Sequence, residues 1–199
     1  MRVLIDGMDL SGKSTLCRGL VERLQRAGVP ARRNLGGLTH GAAHRFTQRA
    51  WRQRPPGDGL VGWGFVASAL TDALTRPEPP GVIVQEAYAQ HTIALAEGFG
   101  HPAVSRAMRA LAPALPHFDH LFYLGATLET RRARYVTRGV NDGMDALIFE
   151  DPARFGRIEA RLRGLMLEAG AKVIETDALD AEAVLERVLA AAFAAGGGH

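Results

Sequence analysis

The sequence predicts a three-layer, doubly wound α/β domain, in which helices cover both faces of a five-stranded parallel sheet. Short apolar runs rich in β-branched residues alternate with longer segments whose apolar residues recur at helical spacing, a pattern typical of βαβ units. The chain has 199 residues, of which 47% are hydrophobic and 23% charged, values typical of a globular protein. We therefore expect a single domain over residues 1–199.

The predicted elements follow one another regularly along the chain. The strands are predicted in the short apolar runs, at residues 2–5, 29–33, 82–85, 120–124 and 171–176. The helices are predicted in the longer amphipathic segments, which include residues 13–27, 40–54, 60–75 and 180–195. Gly28 ends the first of these helices, and a Pro- and Gly-rich run at 55–59 separates the second from the third. Ligands of such sheets bind at the carboxyl ends of the strands.

Composition and charge argue against several classes of partner. Of the 24 basic residues only Lys13 and Lys172 are lysines, and the net charge is +3. No basic stretch is interleaved with stacking aromatic residues, so we expect no nucleic-acid partner. No apolar run approaches the roughly 18 residues that a membrane span requires, so no membrane association is expected. The sequence enters its first strand at once, and Cys17 is the single cysteine, which together favour a cytoplasmic protein without a secretory signal.

A phosphate-binding loop is the strongest functional signal. The run Gly7-x-x-x-x-Gly12-Lys13-Ser14 matches the P-loop pattern, with an apolar strand directly before it and an amphipathic helix directly after. Lys13 is expected to bridge the β- and γ-phosphates of ATP, and the Ser14 hydroxyl to bind Mg²⁺. The alternative is a glycine-rich turn with an accidental lysine. The residues expected to hold the nucleotide are Gly7, Asp9, Ser11, Gly12, Lys13, Ser14 and Thr15.

The segment from Asp6 to Thr15 resembles the P-loop of thymidylate kinases and the related deoxynucleoside kinases, and the similarity continues more weakly along almost the entire chain. Residues 33–37 are similar to that family's Arg-Glu-Pro-Gly-Gly segment. Glu86-Ala87-Tyr88 occupies the position of the family's Asp-Arg-Tyr motif. The family's lid pattern is matched by Leu128-Glu129, Arg134, Arg138-Gly139 and Asp142. The resemblance implies a nucleoside-monophosphate-kinase-like P-loop fold, a short arginine-containing lid at about residues 134–149, and a homodimer.

The resemblance also implies roles for individual residues. Lys13, Arg134, Arg138 and Glu86 are expected to be catalytic, and Ser14 and Glu86 to bind the metal. The residues expected to contact the acceptor are Asp9, Arg33, Arg45 and Tyr88. Simpler alternatives remain for several of them: a solvated helix face for Arg134 and Arg138, loop or strand-end polarity for Asp9 and Glu86, and packing against the sheet for Tyr88.

The remaining polar candidates carry weaker expectations. Arg131 and Arg132 belong to the lid cluster but lack individual support. Cys17 is expected to be packed in its helix. The histidines lack metal-ligand spacing and are expected at the surface or as helix caps: His91, His101, His117 and His120.

The chain departs from the thymidylate kinase pattern mainly on the acceptor side. Ala87 replaces the arginine that holds the acceptor's phosphate, and a second arginine is replaced near Ser68-Ala69. The two family residues that help to seat thymine correspond to Leu95 and Ala96 in this chain. The family's catalytic arginine corresponds to Leu10 or Gly143. The residues expected to bind ATP therefore match the family pattern, whereas those expected to bind the acceptor differ from it.

These observations favour an ATP- and Mg²⁺-dependent kinase acting on a small-molecule acceptor other than dTMP. The acceptor is a nucleoside, a modified nucleotide, or another hydroxyl or phosphonate metabolite. The first alternative is an authentic dTMP kinase with displaced acceptor residues. The second is a nucleotide-binding regulatory protein that has lost catalysis, an idea opposed by the intact Gly12-Lys13-Ser14 sequence.

Overall fold

The computed structural model describes residues 1–55, 57–76, 80–139 and 143–193. Its strands form one parallel sheet in the order β2-β3-β1-β4-β5. The strands are β1 (Arg2–Asp6), β2 (Ala31–Leu35), β3 (Val82–Glu86), β4 (His120–Gly125) and β5 (Lys172–Glu175). The prediction of five parallel strands is therefore confirmed.

Helices connect the strands and cover the sheet. They are α1 (Lys13–Arg26), α2 (Ala42–Gln53), α3 (Gly59–Thr75), α4 (Ala89–Gly98), α5 (Pro102–Leu111), α6 (Leu128–Arg138), α7 (Gly143–Glu150), α8 (Pro152–Glu168) and α9 (Ala181–Phe193), with a short 3₁₀ turn at Ala112–Ala114. None of the helices in the described ranges is long and apolar enough to cross a membrane.

Two apolar cores, one on each face of the sheet, give the fold its three layers. On one face Val3 and Ile5 pack with residues of α1 and α9 such as Leu20 and Val188. On the other face Leu4 packs in a core that includes residues of α4, α5 and α8. The alternation of Val3, Leu4 and Ile5 between the two cores follows from the two-residue period of a strand. Cys17 lies fully buried in the first core, as expected.

The second strand begins two residues later than the sequence pattern predicted. The Val29 amide donates to the Leu24 carbonyl and so closes the end of α1, and Pro30 has no N–H to give to a sheet. Pairing with β3 therefore starts at Ala31. The predicted lid over residues 134–149 covers the end of α6 and most of α7, while its residues 140–142 lie outside the described residues, as does the predicted tail at 196–199.

The sheet order places the P-loop between the ends of two neighbouring strands. β1 pairs with β3 on one side and β4 on the other, with Ile5 opposite Glu86 and Asp6 opposite Tyr123. The carboxyl ends of these three strands therefore meet at one edge of the sheet, where α/β folds bind ligands.

Candidate functional site

The backbone of the P-loop requires glycine at two positions. Gly7 has φ +147°, and a Cβ there would lie 2.5 Å from the Leu124 carbonyl oxygen and 2.9 Å from Ser11 Oγ. Gly12, at the start of α1, has φ +100°. These conformations turn the chain sharply into the first turn of α1, whose N–H groups and dipole favour a bound phosphate. Ser11 is buried beneath this turn, and Thr15 is exposed on α1.

Lys13 and Asp9 form an ion pair within the P-loop. Lys13 Nζ lies 3.5 Å from Asp9 Oδ1, and the lysine is only 7% exposed. Burial opposes ionisation of Asp9, but the ammonium of Lys13, together with the charges of His91 and Arg131, holds the pKa of its carboxyl below the ordinary value. The P-loop thus holds the ammonium group of Lys13 at the place where phosphates would bind.

Ser14 and Glu86 bring two oxygen ligands together. Ser14 Oγ donates to Glu86 Oε1 over 2.6 Å, and Arg33 donates to Glu86 Oε2 from Nε at 2.8 Å and from Nη2 at 2.5 Å. Glu86 is 3% exposed, so its charge is balanced mainly by the Arg33 guanidinium. A hydroxyl and a carboxylate in contact suit Mg²⁺, which prefers oxygen ligands and keeps several waters. The predicted metal residues therefore fit the metal chemically.

Arg134 and Arg138, expected to act together on the transferring phosphoryl group, have different partners. Arg134 lies against the P-loop: its Nη1 donates to the Leu10 carbonyl at 2.9 Å and to Thr176 Oγ1 at 3.1 Å, and its Nη2 donates to the Thr176 carbonyl. Arg138 is more than half exposed, and its Nη1 pairs with the buried Asp145 of α7 at 3.1 Å. The structure thus brings Arg134 to the P-loop and leaves Arg138 bridging α6 and α7.

The residues expected on the acceptor side are dispersed. Tyr88 is 5% exposed, and its hydroxyl donates to Asp72 at 2.9 Å. Burial and that carboxylate raise the pKa of Tyr88. Arg45 is exposed on α2, where it donates to the His40 carbonyl at 2.9 Å and lines a groove of about 660 Å³. Of the four acceptor candidates, Asp9 and Arg33 therefore lie at the P-loop, whereas the Tyr88 hydroxyl is engaged by Asp72 and Arg45 lies on a separate groove.

Backbone strain marks the site as well. Leu10, in the P-loop, and Ala87, directly after β3, adopt φ values of +63° and +53°. Residues with a Cβ rarely occupy this left-handed region. The Ala87 amide donates to the Ile5 carbonyl at 3.1 Å, so the bend after β3 is fixed against β1.

Two candidate functional residues, Asp6 and His91, were not predicted from the sequence. His91 was expected at the surface or as a cap, but its Nδ1 lies 2.8 Å from the fully buried Asp6 Oδ1. The one signal in the sequence was an acidic residue ending an apolar strand, which is costly to bury without a partner. No local pattern joins positions 85 residues apart.

Comparison with known proteins places this geometry within a known fold. No protein-family model matches the sequence, and no curated protein is significantly similar to it. Among solved structures, a thymidylate kinase from Candida albicans is similar, with 15% sequence identity, a TM-score of 0.65, and coverage of 94% of this chain and 88% of that chain. The chain thus has a thymidylate kinase-like P-loop kinase fold.

Proposed function

We propose that this protein is an ATP-dependent phosphotransferase that uses Mg²⁺ to transfer the γ-phosphate of ATP to a small-molecule acceptor other than dTMP. The observation that carries the proposal is the convergence of Lys13, Ser14 and Glu86 at the P-loop, with Ser14 Oγ 2.6 Å from the carboxylate. Phosphoryl transfer needs little beyond positioning and charge neutralisation, and these groups supply both.

The residues at the P-loop have different tasks in this reaction. The glycine turn binds the phosphates through backbone N–H groups, and Lys13 stabilises negative charge on the transferring group. Ser14 and Glu86 would hold the metal, which would neutralise charge on the phosphates. Arg134 holds the Leu10 carbonyl and so fixes the shape of the loop.

The acceptor side supports an acceptor other than dTMP. Ala87 supplies no charge where thymidylate kinases carry an arginine, and Arg33 is engaged by the buried Glu86. A nucleoside monophosphate brings about two negative charges, which need fixed cations when they are buried. An authentic dTMP kinase and a catalytically inactive nucleotide-binding protein remain the alternative hypotheses.

A homodimer is part of the proposal. Large apolar side chains are exposed along one side of α3 at helical spacing: Leu60, Trp63, Leu70 and Leu74, whose exposed fractions are 45%, 47%, 45% and 77%. Exposed apolar stripes of this kind mark protein–protein contacts. This surface supports self-association. A cytoplasmic location, expected from the single cysteine, is also proposed.

The test is a coupled assay of ADP release with Mg²⁺-ATP and a panel of nucleosides, nucleotides and hydroxylated metabolites. We expect turnover with at least one acceptor and a kcat/KM for dTMP at least a thousandfold below about 10⁵ M⁻¹s⁻¹, an ordinary value for an enzyme on its own substrate. Lys13→Ala is expected to remain folded and lose about 3–4 kcal/mol of transition-state stabilisation.

Three results would contradict parts of the proposal. Near-normal turnover by Lys13→Ala would show that the P-loop assignment is wrong. Efficient turnover of dTMP would favour the dTMP kinase alternative. Tight ATP binding without ADP release from any acceptor would favour the inactive binding protein.

A further inference from the structure

An aspartate and a histidine form a pair directly beside the P-loop. Asp6 is the last residue of β1 and is fully buried, and His91 lies in the first turn of α4 with its side chain 12% exposed. His91 Nδ1 and Asp6 Oδ1 are 2.8 Å apart, and the Gly7 amide donates to the same oxygen over 2.8 Å. The carboxylate at the end of β1 is therefore held both by α4, through His91, and by the first residue of the P-loop.

The hydrogen bond fixes which nitrogen of the imidazole is available for chemistry. A carboxylate only accepts hydrogen bonds, so Nδ1 must carry the proton that it shares with Asp6. Nε2 makes no hydrogen bond to any residue in the described part of the chain. In the neutral ring Nε2 then carries a lone pair, and the Asp6 carboxylate stabilises the cation that forms when Nε2 accepts a proton.

The pair lies at the base of the P-loop. α4 begins three residues after the end of β3, and His91 lies in its first turn. The carboxylate that orients the ring is also held by the amide of Gly7, the first residue of the loop. The structure therefore places the imidazole next to the start of the loop.

The charges around this position disfavour an anionic acceptor. Asp6, Asp9 and Glu86 are all close to the P-loop, and the cations Lys13 and Arg33 already pair with two of them. Two further arginines of α6 are engaged as well, Arg131 by Glu159 and Arg138 by Asp145. At the P-loop the three carboxylates are matched by three cations, Lys13, Arg33 and Arg134, so no net positive charge is left for a second phosphate dianion, whereas an uncharged hydroxyl needs none.

Resting on the proposed function, we propose that His91, oriented by Asp6, is the general base that deprotonates an alcohol hydroxyl of a phosphate-free acceptor. The hydroxyl oxygen forms a bond to the γ-phosphorus of ATP while the bond from that phosphorus to the bridging oxygen breaks, leaving its electron pair on ADP. The hydroxyl proton moves to His91 Nε2 and then to solvent. A phosphate acceptor is already ionised at neutral pH and needs no such base.

The proposal can be tested with matched pairs of acceptors. The probes are the four 2′-deoxynucleosides and their 5′-monophosphates, which share base and sugar and differ by the phosphate, together with simple sugars and amino alcohols. We expect full-length protein with Mg²⁺-ATP to release ADP with phosphate-free compounds only. Turnover confined to the monophosphates, or no turnover with any phosphate-free probe, would overturn the proposal.

The role of His91 is tested by substitution. In His91→Gln the amide can still donate to Asp6 but cannot take a proton, so kcat should fall by about 10²–10⁴-fold, while KM for ATP stays within threefold. Free imidazole should restore part of the kcat of His91→Ala, which a purely structural role would not allow. The exposed His117→Gln is the matched control and should keep full activity.

A second measurement does not depend on finding the acceptor. Slow ATP hydrolysis, with water in place of the alcohol, should fall at least tenfold in both His91→Gln and Asp6→Asn. Unchanged hydrolysis and unchanged kcat in a folded His91→Gln protein would overturn the assignment, while ADP release would still uphold the proposed kinase. Failure of the wild-type protein to bind ATP would instead contradict the proposed function.

Discussion

The hydroxyl of Tyr88 donates a 2.9 Å hydrogen bond to the carboxylate of Asp72, which joins the end of β3 to α3. The same carboxylate accepts the amides of Leu38 at 2.9 Å and Thr39 at 2.7 Å. One fully buried side chain therefore anchors the turn after β2, the helix α3 and the entry to α4. Two of these segments follow the carboxyl ends of the neighbouring strands β2 and β3, so the anchor lies at the same edge of the sheet as the P-loop.

Removing different parts of this anchor should have graded effects on stability. Tyr88→Phe removes one of three donors, and we expect the free energy of unfolding to fall by about 1 kcal/mol. Asp72→Ala leaves two amides and a hydroxyl without their acceptor and should cost about 3 kcal/mol or more. Chemical denaturation measures both. Equal losses in the two variants would contradict the view that Asp72 is the centre of the anchor.

The contact between Ser14 and Glu86 should determine the metal requirement. We expect Ser14→Ala to raise the Mg²⁺ concentration needed for half-maximal ADP release at least tenfold, because one oxygen ligand is lost. Glu22→Ala, on an exposed side chain two turns further along α1, is the control and should change this concentration little. A Mg²⁺ titration at saturating ATP checks this, and an equal shift in both variants would argue against a specific role for Ser14.

Nucleotide binding should order α6 and α7, the helices that contain the predicted lid. Arg138 of α6 and Asp145 of α7 are joined by a 3.1 Å ion pair, and the arginine is more than half exposed. We expect a non-hydrolysable ATP analogue to increase amide protection in α6 and α7, because Arg138 can exchange this partner for phosphate. Hydrogen exchange with wild-type and Arg138→Ala protein is the measurement. Unchanged protection at saturating analogue would exclude Arg138 as a phosphate clamp.

The apolar stripe on α3 should hold the proposed dimer together. Leu70→Glu places a charge in the middle of the stripe, so we expect the protein to become monomeric at micromolar concentration. Leu167→Glu alters a similarly exposed leucine on α8, at 51% exposure, and should leave the dimer intact. Sedimentation velocity distinguishes these outcomes. A wild-type monomer, or dissociation by both substitutions, would contradict a dimer built on α3.

Acid should weaken the packing of α4 against α5 and α8 through Glu97. Its Oε1 accepts from Arg109 at 2.8 Å and from Ser105 at 2.7 Å, and its Oε2 from Arg161 at 2.8 Å. Burial opposes ionisation, but these donors lower the pKa of Glu97 to about 2. Because the unfolded pKa is about 4.3, the stabilisation is complete above about pH 5 and is lost as the pH falls towards 2.

The corresponding experiment compares unfolding free energies between pH 7 and pH 2.5. The Glu97 side chain is 33% exposed, so solvent screening limits its contribution to about 1 kcal/mol. We expect Glu97→Gln to be less stable than wild type by about this amount at pH 7 and nearly equal to it at the acid end. Glu22→Gln, on the exposed face of α1, should show no such convergence. A difference that is constant with pH would disprove the assignment.

The parts of the fold that follow local rules could be predicted from the sequence. β1, the P-loop and α1 form a continuous stretch in which apolar period, glycine spacing and helix start agree, so Lys13 and Ser14 were placed correctly relative to the strand and helix. Glu86 was predicted at a strand end and lies there, because a polar residue after a buried apolar run marks the edge of a sheet. Strand number and direction followed from the same alternation.

Contacts between distant segments could not be predicted in the same way. The pairing of His91 with Asp6 depends on the position of α4 over the end of β1, which the sheet order sets and the local sequence does not. The direction in which the Tyr88 ring points could not be predicted either, because a tyrosine suits both an apolar core and a binding pocket. Arg134 and Arg138 share a helix face, yet the nearby Thr176 and Asp145 give them different partners.

The left-handed backbone at Ala87 has an evolutionary consequence. Any residue with a side chain at this bend incurs a similar conformational cost, of the order of 1–2 kcal/mol, and only glycine avoids it. Exchange between arginine and alanine there is therefore close to neutral for the backbone, so the effect of such an exchange depends mainly on the contacts that the new side chain makes. The bend thus tolerates different side chains at this position without loss of the fold.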